Sequence, residues 1–175
     1  MEKIKKLNTN DARDYLSLLR QLDGESEFML YEKYERKATV GDVVGHLQSV
    51  CGRKNQAVFG YYKIGDFNCE KLVGYLSLFG GKQKRLYHTC TLSVGVVKDS
   101  QGEGISNELW QYALDWAILE KIGRVELSVM STNRVAILMY CKWGFGVCGY
   151  LRDRLRLGNV WVSELMMEYL VAFGE

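Results

Sequence analysis

The 175-residue chain contains no proline, only two histidines, and no apolar run long enough to span a bilayer. With no proline-rich or low-complexity stretch and no internal repeat, nothing marks a linker, so one domain over residues 1–175 is expected. None of the five cysteines (Cys51, Cys69, Cys90, Cys141, Cys148) belongs to a Cys-x-x-Cys pair. That removes the usual zinc and redox-dithiol frameworks, and no metal is expected. The odd cysteine count fits reduced thiols. An excess of one charge is missing too: 23 Lys and Arg against 21 Asp and Glu leave +2, too little and too dispersed to make nucleic acid the main partner. The cluster Lys82-Gln-Lys84-Arg85 reads as a solvated hairpin tip. Met1-Glu-Lys-Ile-Lys-Lys6 lacks the apolar core of a secretory leader, so a cytoplasmic protein without a membrane partner is expected. The oligomeric state is open, a homodimer being among the options.

What is present is 47% hydrophobic and 25% charged, enough for one well-buried core. Lys3 to Leu7 alternates weakly, as a first strand. Thr9 or Asn10 caps a helix with Ala12, Tyr15, Leu16, Leu19 and Leu22 on one stripe and Gly24 beyond its end. The acidic and aromatic stretch Glu25 to Glu32 follows no single period. Thr39, with Asp42 three residues on, opens a second helix that carries Val43, Val44, Leu47 and Val50 as far as Gly52. Gln56 to Lys63 and Lys71 to Phe79 read as strands joined by a polar turn over Ile64 to Glu70. Gly80-Gly81 opens the next hairpin, and Arg85 to Val97 reads as one long strand. A helix from about Ser106 to about Lys121, a strand from Val125, a helix ending at Gly144 and a hairpin turning at Gly158-Asn159 complete the chain. The expected class is α/β of the mixed α+β kind, with a central mixed, mostly antiparallel sheet of about seven strands flanked by about four helices.

One stretch changes from strand to loop to helix within thirteen residues: Val94-Gly-Val-Val-Lys-Asp-Ser-Gln-Gly-Glu-Gly-Ile-Ser106. It delivers Gln101 to Ser106 to a helix N-terminus, where unpaired N–H groups and the helix dipole favour phosphate oxygens. Gly102 and Gly104 admit positive φ and let a ligand approach the backbone without a Cβ in the way. Spacing separates the known phosphate loops. A Walker A loop requires Gly-x-x-x-x-Gly-Lys-Ser/Thr, which is absent. A dinucleotide fingerprint requires a third glycine where Asn107 stands, and an acidic residue ending the next strand, whereas Glu126 falls inside it.

The remaining pattern, Gln/Arg-x-x-Gly-x-Gly/Ala, belongs to the GCN5-related N-acetyltransferases, and Gln101-Gly-Glu-Gly104-Ile-Ser106 resembles it with Ser106 as the one departure. A second segment, Asn133-Arg-Val-Ala136-Ile-Leu-Met-Tyr140-Cys-Lys-Trp-Gly144-Phe145, resembles the same family's Asn-x-x-Ala-x-x-x-Tyr-x-x-x-Gly-Phe element. Asn133 and Tyr140 are two helical turns apart, about 10 Å along an axis, so both are expected on one face. The resemblance is strongest from Gln56 to Leu170 and implies a single N-acetyltransferase domain of the acyl-CoA N-acyltransferase type with acetyl-CoA as co-substrate. It further implies that backbone groups at Val94, Val96 and Val97 hold the pantetheine and thioester. Gln101, Gly102, Glu103, Gly104, Ile105 and Ser106 then hold the pyrophosphate, while Asn133 and Tyr140 flank the thioester and Tyr140 acts as acid toward the departing thiolate.

Amide formation needs an acceptor that has lost a proton, a stabilised oxyanion and a leaving thiolate. Tyr140, an ordinary phenol, stays protonated at neutral pH and can give its proton to sulfur. The base stays open among His88, read as a strand residue sharing a face with Leu86, Cys90, Leu92 and Val94, Glu27 or Glu25 acting through water, and water alone. The resemblance also implies that Glu25 and Glu27 lie near the acceptor, a primary amine of a small molecule or a protein. A module of another class, which binds acyl-CoA as a sensor or structural partner without turnover, is the alternative; Tyr140 favours the enzyme.

Overall fold

The period-2 and period-3.6 patterns resolve into one sheet with helices on both faces. The computed structural model describes residues 3–64 and 69–172. Its strands are β1 (Ile4–Lys6), β2 (Gln56–Ile64), β3 (Glu70–Gly80), β4 (Thr89–Val96), β5 (Arg124–Met130), β6 (Gly146–Leu157) and β7 (Val160–Leu170). They lie in the order β1-β2-β3-β4-β5-β7-β6, antiparallel throughout except between β4 and β5. The helices are α1 (Ala12–Glu25), α2 (Val40–Cys51), α3 (Ile105–Leu119) and α4 (Arg134–Lys142). This is the expected mixed, mostly antiparallel architecture.

Side-chain alternation decides which helix covers which face. On β3, Tyr75 meets Tyr15 of α1 edge-on at 5.5 Å and Phe79 meets His46 of α2 at 5.3 Å. A Cβ on the intervening-register Gly74 would touch Ile105 of α3. Odd positions of β3 therefore face α1 and α2, and even positions face α3. Phe59, Leu76, Leu78, Leu109 and Met167 are fully enclosed between the layers, each worth about 1.5–3 kcal/mol of apolar burial. Among the described residues no helix is long and apolar enough to cross a membrane.

Boundaries differ from the sequence reading in three places. Asn8, not Thr9 or Asn10, begins the first helical segment: its side chain accepts from Asn10 N–H while Asp11 accepts from the Asn8 N–H. That 3-10 turn then runs into α1, which passes through Gly24 because this glycine does not take the left-handed conformation that would stop a helix. The long strand before the loop begins only at Thr89, since Lys84–Leu86 forms a 3-10 turn. The Asn55 amide holds that turn by donating to the carbonyls of Gly81 and Tyr87 at 2.9 and 3.1 Å. Of the polar turn expected over Ile64 to Glu70, residues 65–68 lie outside the described residues. Ile64 ends β2 and Glu70 begins β3.

Candidate functional site

β4 and β5 pair only from Thr89 to Thr91 against Arg124 to Glu126. Beyond them β4 continues to Val96, bonded to β3 alone. In an antiparallel ladder, successive residues point their backbone groups to opposite sides. The Val97 N–H donates to Val73 O at 2.9 Å, which fixes the phase. Val94 and Val96 turn their N–H and C=O into the gap between β4 and β5. Val97, expected to act with them, is instead buried with its N–H committed to the sheet.

The gap opens into a cleft of 1340 Å³. At one end lies the loop from Gln101 to Ser106. Gly102 and Gly104 adopt φ of +78° and +84°, and a Cβ on either would meet nothing within 4 Å. None of the five consecutive N–H groups from Gly102 to Ser106 finds an acceptor among the described residues. Such a run of converging donors at the start of a fifteen-residue helix is a nest for an anion. The residues thus fit a pyrophosphate group: open space where a side chain would stand, and unpaired donors facing it. The Gln101 side chain closes the loop by donating to Val96 O at 3.0 Å. Ser106 borders the cleft, and Ile105 anchors the loop in the core. Glu103 points its carboxylate away, to Lys63 at 2.8 Å, so only its backbone remains for the nest.

Tyr140 reaches the cleft from α4. It is 8% exposed, and its hydroxyl, without a hydrogen bond among the described residues, is open to the cleft. Burial, with a smaller contribution from Tyr75, raises its pKa well above the ordinary phenol range. The aromatic cluster of Trp143, Phe145, Trp110 and Tyr169 holds the ring from behind. Asn133 is the N-cap of α4, not a residue on its face. Its Oδ1 accepts from Ala136 N–H at 3.1 Å, which leaves only its amide nitrogen toward the cleft.

The acceptor-side expectations divide. Glu27 borders the cleft with no partner among the described residues. Glu25 also borders it, but its carboxylate accepts from the Lys98 N–H at 2.8 Å and from Gln21 at 2.7 Å, tying α1 to the turn after β4. His88 is misplaced in the sequence reading: it precedes β4, is exposed, stands outside the cleft, and its carbonyl accepts from Gly123 and Arg124. The histidine that borders the cleft is His46, which burial pushes below the usual imidazole pKa. Its place three residues after Val43, beside the buried stripe of α2, was the available signal. Tyr15, read only as part of the apolar stripe of α1, and Tyr75 and Arg36, which the sequence did not single out, also line the cleft. Among the described residues no cluster of His, Cys, Asp and Glu could hold a metal.

The model of the acetyltransferase (GNAT) family matches residues 15–145. No curated protein matches the chain. Solved structures share the fold at low identity. A GNAT-family acetyltransferase from Streptococcus pneumoniae superposes with a TM-score of 0.89 at 21% identity, covering 97% of this chain and 98% of that one. A ribosomal-protein-alanine N-acetyltransferase from Brucella melitensis gives 0.81 at 20%, with 95% and 98% covered. A phosphinothricin acetyltransferase from Sinorhizobium meliloti, solved in complex with acetyl-CoA, gives 0.79 at 12%, with 96% and 87% covered.

Proposed function

Because the chain belongs to the acetyltransferase (GNAT) family, we propose that it is an acetyl-CoA-dependent N-acetyltransferase acting on a primary amine of a small molecule or protein. The observation that carries this reading is a single cleft in which the donor nest of Gly102 to Ser106, the β4 edge at Val94 and Val96 left unpaired by β5, and the Tyr140 hydroxyl meet. Acetyl-CoA supplies an activated acyl thioester. The nest holds its pyrophosphate, and the Val94 and Val96 backbone groups orient the pantetheine arm and polarise the thioester carbonyl. Burial keeps the Tyr140 hydroxyl protonated at neutral pH, so it is a donor to the sulfur as negative charge develops there.

On the acceptor side, Glu27 attracts the ammonium form, and His46 takes its proton. With its pKa lowered, His46 is neutral at pH 7 and free to accept. The five free cysteines support a cytoplasmic setting. A non-catalytic acyl-CoA-binding module is the second reading. An amine panel incubated with acetyl-CoA, with free thiol followed, separates the two in combination with Tyr140→Phe. The variant is expected to keep acetyl-CoA affinity within a few-fold and to lose at least about a hundredfold in turnover, the usual cost of removing a positioned acid. Acetyl-CoA binding without thiol release by wild type, on any amine, would leave the binding module as the better account.

A further inference from the structure

On the α1 side of the cleft stands a group of polar side chains that acetyl transfer itself does not use. Tyr15 is 4% exposed and borders the cleft, and its hydroxyl, without a hydrogen bond among the described residues, is open to it. Its ring stands edge-on to Tyr75, whose hydroxyl is already satisfied by Ser93 at 2.9 Å. Beside them Arg36 grips Asp23 through Nε at 2.6 Å and Nη2 at 2.9 Å, leaving Nη1 unused. The ion pair is lopsided: the Asp23 side chain is 1% exposed and that of Arg36 is 16%. Arg36 borders the main cleft and Asp23 does not. The pair therefore turns its cationic edge to the cleft, and stacking on Tyr31 at 4.3 Å holds the guanidinium plane in place.

A guanidinium edge and a phenol hydroxyl, both donors and both bordering the cleft, suit an acceptor with two oxygens and a negative charge. Tyr75 lies opposite Gly95 in the ladder, next to the free backbone of Val94, so this anion site adjoins the place where the amine must attack. Glu27, unpaired on the same cleft, suits the ammonium, and Leu19, Phe28, Met29 and Phe79 give the cleft an apolar wall. We infer that the acceptor is an α-amino acid with an apolar side chain, its carboxylate held by Arg36 and the Tyr15 hydroxyl. This rests on the acetyltransferase reading of the same cleft. A protein N-terminus has no carboxylate beside its amine and leaves both donors unmatched.

The test compares L-leucine, L-methionine and L-phenylalanine, each with its decarboxylated amine and its carboxamide, for thiol release from acetyl-CoA. At least one amino acid is expected to exceed both analogues by about thirtyfold or more in kcat/KM, and Tyr15→Phe should narrow that preference about tenfold. Arg36→Lys, which keeps a cation beside Asp23 but loses the planar edge, should narrow it as well. Titration calorimetry on the coenzyme A-loaded protein reads the same selectivity without turnover. Amino acids that bind selectively but release no thiol leave the carboxylate site standing and remove the acetyltransferase reading. Amines or amides that bind and react as well as the amino acids overturn the inference while leaving acetyl transfer intact. Absence of both binding and reaction for all three amino acids overturns it too.

Discussion

At Gly104, conformation and ligand space are set by one missing carbon. Its φ of +84° lies where a side-chain-bearing residue is strained, yet a Cβ there would touch nothing in the protein; the space it leaves is the ligand's. Gly104→Val is therefore expected to cost about 1–3 kcal/mol through backbone strain while the protein stays folded, and to abolish coenzyme A binding. Wild-type affinity in a calorimetric titration of the folded variant would remove the loop from the site. This residue was readable in advance because glycine spacing before a helix reports backbone conformation directly. Val94, Val96 and Tyr140 came instead from the resemblance to the family's motifs, and all three border the cleft. Where side chains could point either way, sequence reasoning failed. His88 and His46 differ by which turn each lands in, and nothing local to His88 shows that Asn55, thirty-three positions earlier, folds its segment out of the strand. Glu25 read as a ligand contact, but its partner proves to be a backbone N–H far along the chain.

At the level of elements, the strands and helices were legible because their apolar periods are long. What escaped was how an element starts or is tied down. Asp11 shows the physical reason. It occupies the junction of three elements, accepting from the Asn8 N–H at 2.9 Å, from Lys5 of β1 at 2.9 Å and from the Tyr62 hydroxyl of β2 at 3.1 Å. Burial alone would push its pKa up, but these donors outweigh burial and hold it below the ordinary 3.8. The native state thus binds fewer protons at this site than the unfolded chain, so the contribution is complete above that ordinary value. It is lost as pH falls through the lower native value. Asp11→Asn is expected to destabilise by about 1–3 kcal/mol at pH 7, since Lys5 loses its counter-ion and one lone pair is replaced by a donor. The gap between wild type and variant should close as the pH is lowered toward about 2, a convergence that urea titrations at several pH values would show. A constant gap across that range would mean that the carboxylate's charge contributes nothing.

On the scale of the whole molecule, the cleft exists because the sheet cannot stay closed: β4 and β5 part after Thr91 and Glu126, and α3 and α4 start on either side of the breach. A ligand lying along it would touch the β4 edge, the α3 nest and α4 at once, adding to the links these parts already have through the sheet, the aromatic cluster around Trp110 and Trp143, and the bonds from Trp143 to Asn107 and from Gln101 to Val96. Such a ligand binds the native state and has no comparable site in the unfolded chain. Acetyl-CoA at a hundred times its dissociation constant should therefore add about 2.7 kcal/mol to stability, which for a chain of this size is a rise of roughly 5–10 °C in Tm. NAD and ATP carry pyrophosphate as well, so the nest gives them some affinity. They lack the pantetheine arm that the Val94 and Val96 backbone would hold, and their shifts at equal concentration should be much smaller. The comparison by thermal scanning thus weighs the strand edge separately from the nest. An NAD shift equal to that of acetyl-CoA would mean that the parted strands contribute nothing to binding and that the phosphate loop alone defines the site.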